Sequence, residues 1–332
     1  MDNFGSTEFN YSPQDVFFAE YKEKTQLRRK AWAIAVPAIA FFIISQYWAK
    51  IVLLAGARFG LTAEKLRLFF SEPAVLQIAQ IILSLFLFTV PFVICAMISG
   101  EKISEIAGLR KPKSNRLAYF LFGVGFCSFA NIAVSQMSRI FDLFGINYSV
   151  PEDKNPEGVF GFILVLISTV IVPAIVEEFS MRGIVIGLLK PFGSSFAIFA
   201  SAAVFGLIHG NFNQIPFAFM VGLVLGFIRI KTDSLVICMA VHGLNNLIAV
   251  ITSYAESLPA NIRNTIYTVY IMLALTFAIL GVALIKEKNA FSLKRPETVM
   301  STKKICVNYF FSPATLIVFA LFFYRACTYI FY

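Results

Sequence analysis

The chain has 332 residues, 58% of them hydrophobic and 14% charged, with a mean hydropathy of +0.76; soluble globular domains carry about 25% charged residues. That balance excludes an ordinary soluble enzyme and defines a polytopic membrane protein. The net charge of +9 does not point to nucleic acid, because the basic residues sit in short loops between apolar segments, where they act as orientation signals.

The first 30 residues are polar, close on YKEKTQLRRK and show no cleavable signal, so 1–30 is expected as a cytoplasmic N-terminal segment. A bilayer core of about 30 Å takes about 20 apolar helical residues. On that measure spans are expected at 31–54, 74–98, 117–137, 158–189, 194–210, 214–230, 234–254, 264–285 and 309–331. The fifth and sixth are short, and the ninth carries Arg325. The fold class is all-α, a polytopic helical membrane protein with about eight or nine transmembrane helices. It divides into N-terminal helices over 31–154, a central part over 155–255 and C-terminal helices over 256–332.

Loop charge sets the orientation. Lys22, Lys24, Arg28, Arg29 and Lys30 precede the first span, and loops 99–116 and 286–304 hold five and six basic residues. Loop 138–157 holds two and is net acidic, 255–263 holds only Arg263, and 55–73 holds three. A cytoplasmic N-terminus satisfies this alternation, and nine spans put Tyr332 outside. The five cysteines are scattered singly with no C-x-x-C, which suits small buried residues and not a disulfide framework or zinc cluster. No fixed-period repeat is visible.

An ionisable group at membrane depth costs at least about 2.5–3.5 kcal/mol, so buried polar residues are the place to look for function. In PAIVEEFSMRG, residues 173–183, two adjacent glutamates follow a run from Val159 to Val176 without a charge. The remaining polar groups in apolar spans are Arg182, His209, His242 and Asn246, with Asn211, Asn213 and Asn245 beside them. Both histidines of the chain fall in spans. At about 1.5 Å rise per residue, Glu177 lies about 20 Å from the inner end of its span, His209 about 22 Å, His242 about 12 Å and Asn246 about 18 Å from theirs. Three helices therefore bring polar groups to overlapping depths.

Spacing suggests a division of roles. Glu178 and Arg182 are four apart and can pair, while Glu177 is turned by about 100° and stays free. A carboxylate away from bulk water is suited to take a proton from a water molecule. His242 and Asn246 share a face and can both donate hydrogen bonds, as can His209 and Asn213 if their helix extends that far. Pro173 removes a backbone bond and can kink its helix to open a cavity. Gly206, Gly210 and Gly243 suit close helix packing.

EEFSMR fits E-E-x-x-x-R, FGLIH fits F-x-x-x-H and HGLNN fits H-x-x-x-N, in this order on three spans. Together they resemble the CPBP family of intramembrane proteases, which includes type II CAAX prenyl endopeptidases and bacterial proteins linked to bacteriocin processing and self-immunity. The matching part covers about 155–255. The resemblance implies an endopeptidase in which Glu177 and His209 activate a water, His242 and Asn246 stabilise the oxyanion, and Glu178 and Arg182 support the site. It implies an intramembrane active site in a catalytic core over 155–255, acting on a peptide or protein substrate, membrane-associated ones included, in a bacterial cell membrane. The family is often called metalloprotease. Glu177, His209 and His242 could supply the three ligands a catalytic zinc needs, and a metal-free glutamate mechanism is equally open. Two other functions fit the same residues: a non-catalytic immunity or scaffold membrane protein that retains the fold, and a proton-coupled transporter using Glu, His and Arg as a relay. Nucleic acid is not expected as a partner, and the oligomeric state is left open.

Overall fold

The computed structural model describes residues 12–112, 114–143, 155–294 and 297–329, and every regular element among them is helical. Residues 1–11 of the expected N-terminal segment, Lys113, most of the expected outer loop (144–154), Arg295 with Pro296, and the end of the ninth expected span (330–332) lie outside the described residues.

Helix α1, Pro13–Arg58, begins with a capping box in which Ser12 and Asp15 satisfy each other's backbone N–H. It runs without a break from the basic segment into the first span. A short amphipathic helix, α2 (Ala63–Phe70), follows, then α3 (Pro73–Ile98), a single turn α4 (Ile103–Ile106) and α5 (Arg116–Leu143). One long helical stretch, α6, covers Gly158–Phe192. It is succeeded by α7 (Ser194–Ile208), α8 (Gln214–Thr232), α9 (Leu235–Ala255), α10 (Ala260–Leu284), α11 (Thr302–Phe310) and α12 (Pro313–Thr328).

Seven of these, α1, α3, α5, α6, α8, α9 and α10, are long and apolar enough to cross a membrane, and α11 with α12 makes an eighth if the bent pair is one span. The chain is therefore an all-α integral membrane protein. Two expected spans take a different form. The fifth is α7, whose 15 residues rise only about 22 Å and fall short of a bilayer core. The ninth is broken: α11 and α12 meet at a bend of 57°. The break lies at Phe311 and Ser312, where Ser312 caps a new helix that starts on Pro313, a residue with no N–H to continue the old one.

Helix α6 is the centre of the bundle. Met181, Ile184, Val185, Ile186, Leu188 and Leu189 are all buried and share one core with α1, α3, α7, α11 and α12. Residues 180–186 are buried on every side of the helix, so this part of α6 sits inside its neighbours. Elsewhere glycine lets helices touch: a side chain at Gly125 or Gly281 would collide with the backbone of α10 at Ala278 or of α5 at Phe122.

The basic loops expected on the cytoplasmic side gather at one end. Lys30 pairs with Glu101, Lys304 with Glu20 at 2.7 Å, and the Glu23 carboxylate accepts from the N–H groups of Val299 and Met300 at 2.8 and 2.9 Å. Lys231 donates to the carbonyls of Asn289 and Ser292 at this same end.

Candidate active site

Helix α6 is not a uniform α-helix. Its hydrogen bonding widens to π-type over Leu166–Ile171, returns to α over Val172–Glu178 and widens again over Phe179–Val185. Such wide turns are rare and cluster at functional sites. Glu177 and Glu178 close the α-helical stretch between them.

Glu178 and Arg182 are wholly buried, and Arg182 Nη1 donates to Glu178 Oε1 at 2.8 Å. The same oxygen accepts from His242 Nδ1, also at 2.8 Å. A carboxylate held by a guanidinium is an acceptor only, so Nδ1 carries the proton and the ring's other nitrogen is the one turned to the site. His242 Nε2 stands 3.8 Å from Glu177 Oε2. Arg182 Nε and Nη2 have no hydrogen-bond partner among the described residues. The guanidinium instead lies over the face of Phe205, 4.3 Å from the ring centre, a cation–π contact that keeps its value where water is excluded.

Phe205 joins the second histidine to this cluster. Its ring meets His209 edge-on at 4.9 Å and His242 at 6.1 Å. Its carbonyl accepts from His209 Nδ1 at 2.8 Å, which leaves Nε2 of a neutral His209 with a free lone pair. Glu177 and Arg182 on α6 and His242 on α9 all act electrostatically on that ring. The expected face shared by His209 and Asn213 does not form. Helix α7 stops at Ile208, and Gly210 takes a left-handed conformation, φ 64°, that reverses the chain. Asn211 serves the reversal: it donates to the His209 carbonyl at 3.2 Å and accepts from Gln214 N–H at 2.9 Å.

Asn246 lies one turn beyond His242 on α9. Its Nδ2 donates to the backbone carbonyl of Thr169 at 2.8 Å, inside the first wide turn of α6. The two helices run antiparallel, so His242 meets residues 177 and 178 while Asn246 meets the earlier turn. Around them, Gln77 of α3 donates to Ser168, Ser180 donates to the Phe88 carbonyl, and Ser201 donates to the Met181 carbonyl at 3.0 Å. These bonds tie α6 to α3 and α7.

The six expected residues thus come together, with Glu177, Glu178, Arg182 and His242 in one cluster, His209 joined through Phe205, and Asn246 joined through Thr169. Sequence reasoning missed Phe205 as the link. The F-x-x-x-H spacing held the signal, since residues four apart share a helix face. Among the described residues no group of three or more His, Cys, Asp or Glu side chains is arranged to hold a metal ion. The Nδ1 atoms of both histidines bond to Phe205 and Glu178, an arrangement that leaves each Nε2 to face the site.

Fold and site together define a polytopic helical membrane protein with a glutamate–histidine–asparagine centre enclosed by its helices. Residues 159–248 match the family model of type II CAAX prenyl endopeptidase Rce1-like proteins, which supports membership of the CPBP family, generally a family of proteases. The matched stretch holds all three motifs. No curated protein and no solved structure matches the chain.

Proposed function

We propose that the chain is an intramembrane endopeptidase of the CAAX-protease type, which hydrolyses a peptide bond with a water activated by Glu177 and His209. The observation that carries this reading is the unequal treatment of two adjacent carboxylates. Glu178 is committed to Arg182 and His242. Glu177 hydrogen-bonds to none of the described residues and keeps 15% of its side chain accessible, where Glu178 keeps none. A base must be free to reach its proton, and only Glu177 is.

In this mechanism Glu177 takes a proton from water as the water oxygen bonds to the scissile carbonyl carbon. Nε2 of His209 accepts the water's other O–H and holds it in line. The carbonyl oxygen becomes an oxyanion and accepts hydrogen bonds from Asn246 Nδ2 and His242 Nε2. With Nδ1–H of His242 held by Glu178, Nε2 donates when the ring carries both protons. When the C–N bond breaks, the proton on Glu177 passes to the departing amine, leaving a carboxylic acid and an amine.

The test uses purified full-length protein and internally quenched peptides ending in a prenylated cysteine and three further residues, beside their unprenylated counterparts. Glu177→Gln keeps size but cannot take the proton, so hydrolysis is expected to fall at least about 100-fold with the melting temperature retained. Near-normal hydrolysis by Glu177→Gln overturns the assignment. Wild-type protein that cleaves none of the peptides favours the non-catalytic immunity or scaffold reading, or transport.

A further inference from the structure

The Asn246 side chain is held by a backbone carbonyl of a neighbouring helix. An asparagine amide has two N–H donors and one carbonyl acceptor. One N–H goes to the Thr169 carbonyl at 2.8 Å, and the Oδ1 faces Asn245 Nδ2 at 3.4 Å. Both contacts fix which end of the amide is nitrogen, because a backbone carbonyl only accepts and an amide nitrogen only donates. Among the described residues the second N–H has no partner. It is a donor left to the site.

The Thr169 carbonyl is available for a reason written in the sequence. The wide bonding still holds where Val172 N–H reaches the Ile167 carbonyl; in the α-helical register that follows, Thr169 would take the N–H of the residue four further on, and that residue is Pro173, which has none. The wide turn Leu166–Ile171 ends just before this proline, and α-helical bonding resumes at Val172. A backbone carbonyl inside a membrane bundle needs a donor, and α9 supplies one from Asn246.

We infer that Pro173 is a positioning residue: by withholding its N–H it keeps the Thr169 carbonyl open as the bracket that holds the Asn246 amide, with Asn245 steadying the other end, so that one Asn246 N–H is aimed at the oxyanion. This rests on the oxyanion role proposed for Asn246. Pro173 touches neither substrate nor reacting atoms; it acts through Thr169 and Asn246.

The experiment is a double-mutant cycle in the full-length protein with a quenched prenylated peptide as probe. Pro173→Ala restores an N–H that competes for the Thr169 carbonyl and loosens Asn246. It is expected to lower kcat about 10-fold or more while KM stays within about 3-fold, since a transition-state donor is disturbed and substrate binding is not. Its melting temperature is expected to hold or rise, because alanine is the better helix residue. In an Asn246→Ala background, Pro173→Ala is expected to add less than about 2-fold, the mark of two residues acting through one interaction. Asn245→Ala serves as a second variant, with a smaller fall in kcat that also vanishes beside Asn246→Ala. Full turnover in a stable Pro173→Ala protein overturns the inference. So does an equal loss with and without Asn246, which would mean that the proline acts by bending the helix. If Asn246→Ala itself keeps full turnover, the oxyanion reading falls and takes this one with it; if Asn246→Ala is impaired but uncoupled from Pro173, only this one falls.

Discussion

The densest chemistry sits on one carboxylate oxygen. Glu178 Oε1 receives both Arg182 and His242, with all three side chains buried or nearly so. Removing one partner of a buried ion pair leaves a charge in a medium that cannot solvate it, at about 3–5 kcal/mol. Arg182→Ala is therefore expected to express poorly or melt early, and Arg182→Ala/Glu178→Gln to recover part of that loss. A double variant less stable than Arg182→Ala would show that the pair does not stabilise the fold. The Glu178–Arg182 bond was legible because it is local, four residues apart on one helix. The bond from His242 was not. Depth arithmetic puts α9 at a similar level but cannot say which side of it faces α6, and 64 residues separate the two groups. Composition alone exposed the histidines, since both lie in apolar segments.

Helix ends decide how His209 is presented. Helix α7 closes at Ile208, and Gly210 carries φ 64° directly under Arg325 of α12. A Cβ at Gly210 would lie 2.7 Å from Arg325 Cδ. Gly210→Ala then meets two costs: about 1–2 kcal/mol for the left-handed backbone and the displacement of a packed arginine. Lower thermal stability and lower turnover are expected together, because His209 is the neighbouring residue; a variant with both unchanged would show that the turn has slack. Hydropathy found each long apolar helix but not the shorter α2, α4 and α11, and it could not see this stop, which is why His209 and Asn213 could be placed on one helix. Nor could it separate α from π bonding within α6, because the residues are equally apolar in either form. Pro173 was the only visible hint. The break before Pro313 was missed for the same reason: the apolar run continues through it.

At the scale of the molecule, polar ties join the N-terminal part of α1 to the loop after α3, to the loop after α10 and to α11: Arg29 and Lys30 to the Ser99 carbonyl, Lys30 to Glu101, Glu23 to the backbone at Val299 and Met300, and Glu20 to Lys304. These segments carry the densest positive charge and by the loop rule belong in the cytoplasm. In a cysteine-free background, a cysteine placed at Lys288 is expected to react with a membrane-impermeant maleimide in inside-out vesicles and not in intact cells; the opposite pattern reverses the orientation. The site then opens at a depth that every one of its helices must reach in the right rotation. The two wide turns of α6 bear on that rotation. A π turn is a helix that has absorbed an additional residue without breaking, and a helix that can absorb a residue can also give one back. Deletion of a single residue at 179–181 would leave α6 apolar, continuous and long enough to span, while turning Arg182 relative to Glu178 by about 100°. The chain therefore keeps two separate reading frames in one segment: a tolerant one for insertion into the bilayer, and an intolerant one for bringing Arg182 back to Glu178.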